Sequence, residues 1–162
     1  MDWAEVIAQW LHIFFGTFWF GGVLFANFVV IPAVMRLPPD GQRQFIELLG
    51  KQAERIVPYM AIGAIALGFV RGTVLGDIKD IAGLGTTSGI EWLVGLVAAV
   101  ATFAWGQWVL NPAASRLNAG EAATAAVMAA QIARVRGMAL LELVGFFVVF
   151  TMMILMHFAG EA

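Results

Sequence analysis

Four stretches of this chain are too long and too apolar to be helices of a water-soluble core: residues 10–34, 57–75, 90–110 and 138–159. None shows the strict alternation of a half-buried strand, and each reaches the roughly 20 residues that a helix needs to cross a bilayer. In hydrocarbon every backbone N–H and C=O must be satisfied within the segment, so such runs fold as helices. The expected architecture is an all-α, integral membrane four-helix bundle forming one domain over residues 1–162, with the bilayer as its main partner.

Composition agrees. Hydrophobic residues make up 61% of the chain and charged residues 12%, where soluble domains have about half and a quarter. Mean hydropathy is +0.87. A net charge of −2 leaves no basic stripe to neutralise phosphates, which argues against nucleic acid as a partner. With no cysteine, disulfides, thiolate metal sites and covalent c-type haem are excluded. The opening "MDWAE" is acidic where a secretory signal is basic, so the first run reads as a retained span.

The connections differ in kind. "RLPPDG" predicts the end of the first helix, "GLGTTSG" separates the second and third, and "NPAASR" predicts the end of the third. Residues 40–56 read as a short interfacial helix capped by Asp40, with Phe45, Ile46, Leu48 and Leu49 on its apolar side. Residues 119–136 are alanine-rich and read as a helical extension of the fourth span. No tandem repeat is evident. Arg36, Arg43, Lys51 and Arg55 lie in the first connection and Arg116, Arg134 and Arg136 in the third. Positive charge stays cytoplasmic, so both termini are expected outside, in a multi-pass protein of the inner (plasma) membrane.

The chain has two histidines, and this layout draws them together. His12 starts the first span and His157 ends the fourth, both at the outer level. First and last helices are common neighbours in a four-helix bundle. Phe15, Gly16, Trp19, Val23 and Ala26 follow His12 on one helical face, and Phe146, Phe150 and Met153 share the face of His157. Aromatic walls, a glycine one turn from an imidazole, and two imidazoles are the ingredients of a haem pocket, since neutral imidazole binds haem iron axially. Haem propionates need a cation. Arg71, late in the second span, is the one basic residue expected inside a span at that level, and its planar fork suits a carboxylate. The plain alternatives are an interfacial arginine and histidines tolerated at the membrane surface.

Other polar residues read differently. Glu142 lies about 22 Å from His157 by helical rise, so it belongs to another place, as a proton group or as a partner of Arg134, Arg136 or Tyr59. Asn27 is expected to bond to a neighbouring helix. Glu91 and Trp92 look like a helix start at the interface, and Trp105 and Trp108 like an aromatic belt. Met153, Met156 and His157 form a soft-ligand group suited to Cu(I), so copper handling is the weaker alternative. Methionine as flexible packing is its plain counterpart.

"LHIFFGTFWFGG" resembles the first-helix signature of a loose bacterial superfamily of small membrane proteins. That group includes the copper-resistance protein D family and the HemJ-type protoporphyrinogen oxidases. The shared pattern is a histidine, a tryptophan two turns on, then small residues: here His12, Trp19, Gly21 and Gly22. "NFVVIPAVMRLPPDGQRQF" resembles the end of that helix in the same proteins. The likeness covers about the first 60 residues and the four-span layout. It implies non-covalent haem b bound through His12. It also implies oxidase or copper-uptake chemistry in individual branches. The HemJ-type branch has an essential intramembrane lysine, and here no lysine lies inside the four apolar runs. The expectation is a haem b-binding redox or electron-transfer protein with His12 and His157 as iron ligands, and glycine-rich helices that suit a homo-oligomer.

Overall fold

In a computed structural model, which describes residues 2–76, 78–119 and 125–159, helices account for nearly the whole chain and no strand occurs among the described residues. Helix α1 (Trp3–Phe25) starts where the Asp2 carboxylate accepts the Ala4 N–H at 2.9 Å. It passes through a π-helical turn, Ala26–Val30, into α2 (Ile31–Val34). Helix α3 spans Pro39–Gly72 and the short α4 spans Ile81–Leu84. Helix α5 (Thr87–Trp105) runs through a second π-turn, Gly106–Leu110, into α6 (Asn111–Ala119). Helix α7 spans Ala125–Ala159. Four continuous segments are long and apolar enough to cross a membrane: Trp3–Val34, Pro39–Gly72, Thr87–Arg116 and Ala126–Phe158. The protein is an all-α membrane helical bundle.

Four local expectations change. Residues 40–56 are helical, but they continue without a break into the second span, so the amphipathic segment is the first half of α3. Pro58 lies inside that helix and costs it one backbone hydrogen bond, which the long flanking turns absorb. Asp40 is not the cap. Pro38 holds the N-cap position and Pro39 the first helical position, where a missing N–H costs nothing. Asp40 instead sits in the first turn, favourably placed against the helix dipole. The second span also closes at Gly72, short of residue 75.

The fourth change is the most informative. "NPAASR" does not end the third helix, because the coil widens just before the proline. Asn111 donates its N–H to the Gly106 carbonyl five residues back, which moves the ladder away from the Pro112 ring. The first span uses the same device: Ile31 donates to Ala26 ahead of Pro32. The two spans therefore share a plan that sequence comparison within the chain does not reveal. His12 precedes Pro32 by the same twenty residues that separate Trp92 from Pro112.

Small residues set the helix spacings. In α3, Gly63 lies under Phe15, Gly68 under His12 and Gly72 under Trp92, so α1 and α5 both approach its backbone. Between α5 and α7, Gly95 faces Met152 and Gly145 faces the Thr102 hydroxyl. Lipid is as apolar as leucine, so close backbone packing of this kind, rather than apolar burial, holds such helices together. The core is accordingly small: Trp19, Ala61, Ala64, Leu143 and Phe146. A second cluster, Met128 and Ile132 with Ile31 and Ile46, lies toward the loop end. Phe14, Phe18, Phe28 and Phe147 are exposed, as residues facing acyl chains are.

Candidate functional site

His12 is half-buried on α1 and turned toward α3. Its Nδ1 lies 2.8 Å from the Ala64 carbonyl oxygen. A carbonyl only accepts, so Nδ1 carries the proton and donates. The tautomer is thereby fixed, and Nε2 keeps its lone pair. That is the arrangement found behind metal-binding histidines, whose second nitrogen is oriented by a backbone or carboxylate acceptor. Gly68, one turn along α3, makes the placement sterically feasible: a Cβ there would stand 3.0 Å from His12 Cε1.

The surroundings divide into filled and open sides. Trp19 is buried, edge-on to Phe146 at 4.6 Å and to Phe103 at 6.2 Å, so it belongs to the core beneath the histidine. Phe15 lies across Gly63. Gly16, one turn from His12, has open space around it: a Cβ there would meet no atom within 4 Å. Arg71 stands three residues beyond Gly68, about 4.5 Å farther toward the chain termini, within electrostatic reach of the His12 ring. A wide apolar groove of about 550 Å³ lies between α3 and α5, lined by Ile62, Ala66, Phe69, Leu96 and Val100 among others. Ile62, Ala66 and Phe69 lie on the far face of α3 from Ala64 and Gly68, so the groove is a separate feature.

The second histidine shares a height with the first. Phe20 of α1 stacks on Phe150 of α7 at 6.4 Å. His12 lies eight residues from Phe20 and His157 seven from Phe150, on the same side, which is about 12 Å and about 10.5 Å of helix. His157 is exposed, with its ring edge-on to Phe158 at 5.6 Å. Phe150 is exposed and Met153 and Met156 are half-buried.

Sequence reasoning missed the residues that seat His12. Ala61, Ala64, Gly68 and Gly72 repeat at three- and four-residue spacing in "AIGAIALGFVRG", which is a legible small-residue face. It also missed Trp92. That indole lies over Gly72, the last residue of α3, and donates to the Gly68 carbonyl at 3.2 Å. His12 and Trp92, the matching positions of the first and third spans, thus both bond to successive turns of α3.

Among the described residues, no group of three or more histidine, aspartate or glutamate side chains gathers as a metal site. Comparison of the chain with protein-family models, with curated proteins and with solved structures returns no match in any of the three. The fold alone places it in a class, the multi-pass all-α membrane bundles.

Proposed function

We propose that the protein binds haem b through His12 Nε2 and serves redox or electron-transfer chemistry in a bacterial inner membrane. The observation that carries this is the hydrogen bond from His12 Nδ1 to the Ala64 carbonyl, which leaves the lone pair on Nε2 in a chain without thiolates. One imidazole is enough for haem, because the porphyrin supplies four nitrogens itself. The open side at Gly16 suits a flat ring. Bound there, haem supplies one-electron redox chemistry. His12 holds the iron, Phe15 and Trp19 exclude water from below, and Arg71 pairs a propionate. His157, level with His12 on the last helix, is the second ligand or a pocket neighbour.

Protein purified from cells supplied with a haem precursor is expected to be coloured, and acid acetone is expected to extract the colour completely. A colourless protein overturns the reading. A protein that instead retains copper, lost when Met153, Met156 and His157 are replaced, establishes the soft-metal alternative.

Arg71 gives a graded prediction. A nearby positive charge favours the reduced form, so Arg71→Leu is expected to lower the midpoint potential by tens of millivolts. That is on the order of what one charge about 10 Å away exerts at an effective dielectric of about 20. Arg71→Lys keeps the charge but loses the fork and is expected to fall between. Redox titration of the three proteins checks this, and equal midpoints with full haem content remove Arg71 from the site.

A further inference from the structure

The polar residues of the opposite half of the bundle play no part in the haem reading. Glu142 of α7 is buried, at 6% exposure. Among the described residues no hydrogen bond or ion pair reaches its carboxyl group; the ion pair they form is Lys51 with Glu47, at the surface. Its expected partners, Arg134, Arg136 and Tyr59, do not engage it. The place is nevertheless shaped for it. Glu142 lies against the first residue of the second π-turn, Gly106, where a Cβ would stand 2.8 Å from Oε1.

Asn27, in the first π-turn, is 2% exposed. It does not bridge helices as expected. Its Nδ2 donates to the Val23 carbonyl of its own helix at 2.9 Å, and its Oδ1 is buried without a donor. Helix α7 packs against both π-turns. The rings of Phe20 and Phe146 are 5.2 Å apart. Asn27 lies seven residues toward the loop end from Phe20, and Glu142 lies four from Phe146 and eight from Phe150. Those steps are about 10.5 Å against about 6–12 Å, so the two residues share a level on facing helices.

We propose that Glu142 is an intramembrane proton-binding site, with Asn27 as the acceptor that steadies the protonated carboxyl. Two buried oxygen groups at one level both lack a donor, and a single proton on Glu142 supplies one. Among the described residues no cation pairs with Glu142, so an ionised carboxylate there lacks a partner. The first span has no ionisable residue between 13 and 34, and the third has none between 93 and 115. On α7 the nearest are Arg134 and Arg136, about two turns toward the loop end. Arg116 of α6 and Lys51, Glu54 and Arg55 of α3 are exposed. A metal cation fits less well. Hard cations take about six oxygen ligands. This place offers one carboxylate, one amide oxygen and the Thr102 hydroxyl, which already donates to Ala98.

Infrared spectroscopy of the full-length protein in lipid tests the proposal. At neutral pH a carbonyl stretch from a protonated carboxylic acid is expected, shifting in D₂O, absent in Glu142→Gln and displaced in Asn27→Leu. Should Glu142→Gln fail to accumulate, the displacement in Asn27→Leu carries the assignment. A parent protein without such a band at neutral pH overturns the proposal. So does loss of the band on adding sodium or potassium at constant pH, which establishes a cation site.

Discussion

His12→Ala is expected to leave the protein folded and without haem, a fall from about one haem per chain to background. The imidazole contributes little to the fold: it makes one hydrogen bond to a backbone carbonyl, worth about 0.5–1.5 kcal/mol net. What it alone supplies is the lone pair of Nε2. The neighbouring glycines separate ligation from space. Gly68→Leu drives a side chain into the ring's position and is expected to match His12→Ala. Gly16→Leu extends into open space, so it is expected to leave stability unchanged while weakening haem retention about 10–100-fold, the range of losses when a site's supporting shell is disturbed. Absorbance against protein concentration, with circular dichroism for the fold, measures both. Full haem in His12→Ala ends the assignment.

The largest effect on stability is expected at Gly145. A Cβ there overlaps the Thr102 hydroxyl, and Thr102 is itself buried and bonded to Ala98 at 2.7 Å. Gly145→Leu must therefore part α5 from α7, the most extensive helix pair in the bundle. Overpacking of this kind costs about 1–3 kcal/mol, and more where backbone must move. Unfolding in mixed detergent is expected to show the loss. Gly21→Leu is the control: it faces no atom within 4 Å and is expected to be neutral. Equal stabilities for the two variants contradict a bundle held by close glycine contacts.

The helical spans were legible because hydrocarbon leaves the backbone few choices, so length and apolarity suffice. Breaks were less legible. Pro112 read as a stop, since a proline removes a donor and crowds the preceding turn. A π-turn five residues long resolves both problems, and nothing in "NFVVIP" or "GQWVLNP" announces it. For the site, His12 stood out because an imidazole is costly in an apolar run, and Glu142 for the same reason. Their surroundings did not. That Ala64 would offer its carbonyl depends on how α1 and α3 are rotated about their axes, which periodicity fixes only to a face. Trp92 read only as part of a helix start, and it is the bareness of Gly72 that seats its ring against α3.

The central claim is that His12 presents Nε2 to iron while Nδ1–H is tied to Ala64. Rescue of His12→Gly by free ligands tests it most directly. Added imidazole has both nitrogens, so it is expected to enter the vacated space, donate to the Ala64 carbonyl and restore the Soret band of the parent protein. 1-Methylimidazole can ligate iron but cannot donate, and it is expected to restore the band about 10–100-fold less tightly. Equal rescue by the two ligands contradicts the role of Ala64, and no rescue by either, or a haem spectrum in His12→Gly that matches the parent without any ligand, contradicts ligation by His12.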